Sequence, residues 1–424
     1  MDTSSEPPGG DAPTLPLRLG QAFETETIAA QVQALRARLD AGRDRCIGFP
    51  VAVDFDVSEV APLLHHWLNN AGDPYVDGLG RAHTKDLERQ IVDFLADLFH
   101  APAQDRWGYV TSGGTEGNEY GLLLARSRYP DGVVYYSEAA HYSVAKLADR
   151  LRLPAIAVRA DDKGGLRYHD LRSLLRQHRD RPAIVVASAG TTMTEAVDDV
   201  TRIRDLMRGL ALRDTYVHVD AALAGIPLAL LPRTERPGLD FADGADSIAV
   251  SGHKFVGCPV PCGIVITRRS LRDRIGRMVD YIGSVDSTIG GSRSGHAPLL
   301  LWCAIARYGV AGLRQRAEQS RELAAYTVNR LRDAGWAAWR HPLAFTVVLP
   351  TPPPAIVERW MLASSGGISH VICMPGMTRA QIDRFVADLT APEVGDPVIP
   401  SQRRGWAATI ASRLVRTAAA DGAT

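Results

Sequence analysis

Between Trp107 and Ile266 the chain alternates short β-type runs with longer amphipathic ones, and this rhythm constrains the fold more than any single motif. The short runs are Trp107–Val110, Val133–Tyr136, Ala155–Val158, Ala183–Ala187, Tyr216–Asp220, Ser247–Val250 and Gly263–Ile266. Each is long enough for a strand and too short for a stable helix. Helical spacing fills the gaps at Glu116–Tyr129, Ser143–Leu151, His169–Gln177 and Asp199–Gly209. Parallel strands need helical crossovers and are buried on both faces, so they read as unbroken apolar runs. The pattern predicts an α/β fold with a large, mainly parallel sheet covered by helices.

The flanks read differently. Upstream, helices are expected over Thr25–Leu39 and Lys85–Phe99, with a shorter one opening at Pro62–Leu68 and a Gly48-Phe49-Pro50 loop between. Downstream, a long helix over Leu313–Asp333 leads to strands at Ala344–Leu349 and His370–Cys373, a segment Ala355–Ala363 and a helix at Arg379–Leu389. This is the pattern of a smaller α+β domain. The expected division is a disordered tail over 1–20, an N-terminal segment over 21–85, a large domain over 86–310, a small domain over 311–390 and an extension over 391–424. Within the extension, Ala407–Ala418 has helical spacing.

Bulk chemistry removes several classes of function. Lys plus Arg equals 48 and so does Asp plus Glu, so net charge supplies no attraction for nucleic acid or an anionic membrane. No apolar stretch reaches membrane-spanning length, and MDTSSEPPGGDAP lacks the basic and apolar regions of a secretory signal. A cytoplasmic location is expected. Five widely spaced cysteines do not make a disulfide scaffold. Cys258 and Cys262 stand four apart, but no second pair completes a zinc site, and no metal is expected.

Three sites sit where strands are expected to end. Ser112-Gly113-Gly114-Thr115 joins a strand to a helix, and its glycines, hydroxyls and free N–H groups suit a phosphate. Neither a nucleotide P-loop nor GxGxxG is present there. Asp220 closes the run Val217-His218-Val219-Asp220, at the edge where open α/β sheets collect ligands. Lys254 follows another strand, inside SGHKFVGCP. A lysine can form a Schiff base with an aldehyde, and an acid beside a pyridine nitrogen favours its protonated form. Pyridoxal phosphate needs an anion cup, an amine and an acid together. A binding module without aldehyde chemistry leaves the Lys254–Asp220 combination unexplained. His141, in SEAAHYS, is a candidate to stack on the ring; His253 and Ser251 are candidates for the phosphate or the substrate carboxylate. Thr191 and Thr192 follow a further strand end, and Asp198 and Asp199 are expected to cap the next helix.

Taken in order, TSGGTEGN, SEAAHYSVAK, SAGTTMTEAVDD, YVHVDAA, SGHKFVGCPVPCG and DSTIGGSRSG resemble the group II pyridoxal-phosphate-dependent amino acid decarboxylases. The likeness runs from about Asp54 to Leu389 and is nearest to the histidine and serine decarboxylase branch. It implies the aspartate-aminotransferase-like fold and an L-amino acid substrate. It implies that Lys254 holds the cofactor aldehyde, Asp220 the pyridine nitrogen and His141 the ring face. Ser112, Gly113, Gly114 and Thr115 would surround the phosphate, with Ser251 and His253 nearby, and Thr192 would contact the cofactor. The likeness also implies a homodimer with shared active sites, residues 21–85 contributing to the dimer and the site entrance. Residues 284–293 would reach the neighbouring site, where Ser292 would contact the cofactor.

For the substrate, Leu343 and Ala344 stand where histidine decarboxylases of this type commonly carry an Asn-Ser pair. The expectation is an apolar pocket for a neutral aliphatic amino acid such as valine or leucine. L-Histidine decarboxylation to histamine is the alternative, followed by serine decarboxylation and by transamination or lyase chemistry on the same cofactor. Cys46–Pro50 and His65-His66 are expected near the entrance.

Overall fold

The computed structural model describes residues 22–391. The tail expected over 1–20, the extension beyond Ala391 and the helix expected over 407–418 lie outside the described residues.

The β-type runs become the seven strands of one sheet: β1 (Arg106–Thr111), β2 (Val133–Ser137), β3 (Ala155–Val158), β4 (Ala183–Ser188), β5 (Thr215–Asp220), β6 (Ser247–Ser251) and β7 (Gly263–Arg268). Their order is β1-β7-β6-β5-β4-β2-β3. Only β7 runs against the rest, pairing antiparallel with both β1 and β6. The other pairings are parallel. Nearly every residue of the central strands is buried, which is why these runs are apolar on both faces.

The first helices are α1 (Thr25–Arg43), α2 (Lys85–Leu98), α3 (Gly114–Arg128), α4 (Ser143–Arg150), α5 (Tyr168–Gln177) and α6 (Val200–Gly209). The amphipathic α2 buries Ile91, Val92, Leu95 and Ala96. Asp199 caps α6 by accepting from the Arg202 N–H at 3.2 Å. Asp198 does not cap it: the buried carboxylate accepts from Ser188 N–H at 2.8 Å, beneath the end of β4. Burial pushes the Asp198 carboxyl up to about 7.

Short elements α7 (Gly225–Ala229), α8 (Arg269–Arg272), β8 (Arg277–Val279) and β9 (Ser284–Asp286) precede α9 (His296–Asp333). The last helix begins well before the expected Leu313 but breaks at Gly309 (φ 55, ψ −172), a left-handed φ that glycine adopts without strain. The smaller C-terminal domain follows: β10 (Thr346–Pro350), α10 (Pro354–Arg359), β11 (Ala363–Ser365), β12 (Ile368–Ile372) and α11 (Arg379–Thr390). Its sheet is antiparallel in the order β10-β12-β11.

Strand β10 starts two residues later than the apolar run suggests. The N–H groups of Phe345 and Thr346 go to the buried Glu195 carboxylate, at 3.2 and 2.8 Å, rather than to a neighbouring strand. At the other end of the chain, α1 buries none of its residues. Its stripe of Ile28, Val32, Leu35 and Leu39 is exposed in the single chain.

Candidate active site

A cavity of about 510 Å³ opens at the carboxyl ends of the parallel strands. Ser112 to Thr115 enter it after β1, His141 after β2, Thr192 after β4, Asp220 from the end of β5, and Ser251, His253 and Lys254 from the end of β6 and the turn beyond. Five strand ends far apart in sequence therefore contribute to one concave surface, the usual ligand position in such sheets.

Lys254 is placed by a reversal. Strand β7 must return antiparallel to β6, with Ser251 opposite Gly263. The chain makes this reversal through a wide π turn over Gly252–Val256, in which Cys258 N–H donates to the Gly252 carbonyl at 3.1 Å. Gly257 closes it at φ 87. Burial lowers the Lys254 pKa, with the nearby Asp220 carboxylate opposing the shift. The neutral, nucleophilic amine is thus more accessible than on an exposed lysine.

Asp220 is held from two sides. Its Oδ2 accepts from Asn118 Nδ2 at 2.8 Å, and its Oδ1 accepts from Ala222 N–H at 3.2 Å. Two N–H donors fix the plane of the carboxylate while it still lines the cavity. The glycine cup lies at the start of α3. A Cβ on Gly113 would meet nothing within 4 Å, whereas one on Gly114 would lie 2.6 Å from Ser251 Oγ. Glycine at 114 is what lets the helix start approach the Ser251 hydroxyl. Glu116 also faces this region and accepts from Ser112 N–H at 2.8 Å and Ser112 Oγ–H at 2.6 Å.

Both cavity imidazoles are held through Nδ1. His141 Nδ1 accepts from Ser143 N–H at 3.3 Å and lies 2.7 Å from Ser143 Oγ, which leaves the proton of the neutral ring on Nε2. His253 Nδ1 lies 2.7 Å from the Cys262 carbonyl and 3.2 Å from the Cys262 N–H, so one backbone residue offers this nitrogen both an acceptor and a donor. Burial lowers both pKa values, so both rings favour the neutral form.

Several expected residues fall elsewhere. Thr192 lines the cavity, but Thr191 is buried beside it, 3.0 Å from the Thr194 hydroxyl. Ser292 does not line the cavity of its own chain; its hydroxyl accepts from Asn69 Nδ2 at 3.2 Å. His65 and His66 are exposed and outside it. Gly48, Phe49 and Pro50 do form part of its wall. Leu343, Ala344 and Phe345 do not. Phe345 is fully buried, with its ring centroid 6.4 Å from that of Phe255, so this apolar segment is core rather than pocket.

Sequence reasoning missed Asn118, Tyr142, Leu223, Pro261, His370 and Ile372 at or beside the cavity. Asn118 was visible as the residue one helical turn beyond the glycine cup. His370 carried no local signal: it is buried, with Nε2 3.0 Å from the Gly48 carbonyl and Nδ1 3.1 Å from the Met193 carbonyl. Only the fold brings those three segments together.

Residues 57–336 match the pyridoxal-dependent decarboxylase conserved domain. A histidine decarboxylase of Mesorhizobium japonicum is 44% identical over 344 residues, covering 81% of this chain and 92% of the relative. One of Pseudomonas entomophila is 40% identical, with coverage of 83% and 91%. A solved L-methionine decarboxylase from Streptomyces sp. 590, in complex with L-methionine methyl ester, superposes with a TM-score of 0.83 at 26% identity, covering 90% of this chain and 98% of that one. The buried amine, the anchored acid and the glycine cup fit pyridoxal phosphate, the cofactor of these enzymes. The chain belongs to the pyridoxal-dependent decarboxylase family and is a pyridoxal-phosphate-dependent amino acid decarboxylase.

Proposed function

We propose that the chain decarboxylates L-histidine to histamine and carbon dioxide. Resemblance to histidine decarboxylases over more than four-fifths of the chain carries this reading. The expected valine or leucine specificity rested on Leu343 and Ala344, and those residues stand outside the cavity wall. A second reading retains an apolar amino acid. It is favoured by the superposition on L-methionine decarboxylase and by Phe49, Leu223 and Ile372 in the wall.

Bound pyridoxal phosphate supplies an electron sink for the pair left at Cα when carbon dioxide departs. In this reading the neutral Lys254 amine would hold the cofactor through its aldehyde, and Asp220 would accept the ring N–H. His141 would cover the ring face. The backbone N–H groups of Gly113, Gly114 and Thr115 and the Ser251 hydroxyl would hold the phosphate, joined by Ser112 once its hydroxyl leaves Glu116, with His253 beside them. Thr192 adds a hydroxyl to the cofactor side of the wall. Phe49 and Pro50 shield the mouth, where excluding water strengthens these charge interactions.

The same reading makes the enzyme a cytoplasmic homodimer. Residues 284–293 carry Ser292 toward the partner's cavity, and the exposed stripe of α1 finds its cover there. The test is a panel of L-histidine, L-methionine, L-valine, L-leucine and L-serine, with carbon dioxide and amine measured together. L-Histidine is expected to exceed the apolar substrates in kcat/KM by at least about 100-fold, because a site built for a polar group rejects analogues lacking it. Preference for valine, leucine or methionine overturns the histidine reading. Cofactor binding without carbon dioxide release from any substrate overturns the assignment of these residues to decarboxylation.

A further inference from the structure

We propose that His218 is a positioning residue for the reaction, orienting Asp220 through Asn118. The inference rests on the reading of Asp220 as the acid at the cofactor ring nitrogen. It gives that acid a buried support that runs under the sheet, away from the cavity.

Side chains alternate along a strand, so Tyr216, His218 and Asp220 of β5 share one face. That face packs against α3, which carries Asn118. His218 is wholly buried. Its Nδ1 lies 2.7 Å from Ser247 Oγ and its Nε2 lies 3.0 Å from Asn118 Oδ1. Asn118 Nδ2 then donates to Asp220 Oδ2 at 2.8 Å.

The proton directions follow from the acid: a carboxylate only accepts, so Asn118 turns its NH₂ to Asp220 and its Oδ1 to His218, whose Nε2 donates. Tyr216 O–H donates to Ser247 Oγ at 2.8 Å. Ser247 therefore has its own proton free for His218 Nδ1. Burial pushes the His218 pKa down to about 4, so the ring is neutral and carries one proton. That proton sits on Nε2 and is donated to the Asn118 carbonyl oxygen. The amide is oriented with its NH₂ toward Asp220. The reverse orientation would set an amide oxygen against a carboxylate oxygen and leave the His218 N–H facing a donor. His218 thus adds a second constraint, from the opposite side, to the one that Asp220 places on the Asn118 amide.

An independent feature shows that the fold is shaped around this ring. A Cβ on Gly121 would lie 2.2 Å from His218 Nδ1 and 2.4 Å from Cε1. Helix α3 reaches toward β5 at Asn118 and yields to it one turn later, at Gly121. Burying an imidazole is costly unless both nitrogens are satisfied. Here both are, Nδ1 by Ser247 and Nε2 by Asn118, whose amide donates to Asp220.

The experiment compares wild type with His218→Leu, His218→Gln, Ser247→Ala and Asp220→Asn, each loaded with pyridoxal phosphate. Loss of the buried N–H in His218→Leu should lower kcat by about 10-fold and change KM by less than about 3-fold. A labelled ring nitrogen followed by NMR should move toward its unprotonated position, and cofactor should dissociate faster. Glutamine can accept from Ser247 and donate to Asn118, so His218→Gln should recover kcat to within about 3-fold of wild type. Ser247→Ala provides the same readouts at a smaller cost to packing and is expected to shift them in the same direction as His218→Leu. If His218→Leu does not fold, wild-type NMR and dissociation values in Ser247→Ala overturn the relay. Wild-type kcat, ring-nitrogen signal and cofactor dissociation in a folded His218→Leu also overturn it, even if Asp220→Asn is inactive. A fully active Asp220→Asn with an unchanged ring-nitrogen signal overturns the parent reading instead.

Discussion

A lysine in water is a cation; Lys254 is turned toward the free amine by burial. Replacing it with alanine should abolish the visible absorption of bound pyridoxal phosphate and reduce turnover by at least about 1,000-fold, while leaving phosphate-cup binding measurable by cofactor fluorescence. Gly121 poses the opposite question, because its importance lies in an absent atom. Gly121→Ala must push against the His218 ring and should destabilise the protein by about 1–3 kcal/mol, read from denaturant unfolding. Lys254, Asp220 and the Ser112–Thr115 cup were legible in the sequence, since each pairs a special residue type with an expected strand end. His218 was printed in the same strand as Asp220, but its face and its Asn118 contact depend on how α3 packs. The misreading of Leu343 and Ala344 had a similar cause. Apolar residues beside a strand mark a pocket or a core equally well, and the Glu195 contacts that pull this segment inward lie about 150 positions away in sequence.

Among the elements, the strands were the most readable because burial on both faces made them unbroken apolar runs. The hairpin of β8 and β9 was not, since three-residue strands carry too few side chains for periodicity to register. The loop after β4 shows how elements of the two domains are tied. Burial pushes the Glu195 carboxyl up to about 7, against the hydrogen bonds from Thr346 and Phe345. The folded state therefore holds the proton more tightly than the unfolded one, and its stability falls as pH rises from about 4.5 to about 7. Glu195→Gln should escape that loss. Its stability relative to wild type should grow by up to about 3 kcal/mol across that window and then level off, measured by unfolding at each pH. The comparison must be between variants, because neutral buried His218 contributes the opposite slope: stability rises with pH from about 4 to about 6.5. At the cavity mouth, a Cβ on Gly48 would meet the backbone of Leu362 and Met361 at 2.5 Å. Gly48→Ala should displace the Phe49-Pro50 wall and raise KM about 5-fold or more, with a smaller change in kcat, in steady-state assays.

For the molecule as a whole, the unburied α1 stripe together with exposed Trp67 and Tyr281 supports the proposed dimer. Trp67 is 73% and Tyr281 84% accessible in the single chain, unusual for large aromatic side chains without a partner. Wild type is expected to sediment as a dimer. Introducing Leu35→Asp with Leu39→Asp should shift it toward monomer and make specific activity fall on dilution. Survival of a full-strength dimer would separate this stripe from the association surface. The His370 contacts carry a consequence for biosynthesis. Residues 112–254, which hold the lysine, the acid and the cup, are made before the ring that fastens Gly48 to Met193 exists. A nascent chain can thus assemble its chemical centre while its doorway is still open, and the doorway takes shape only after the ribosome has delivered a residue 322 positions beyond the one it must grip.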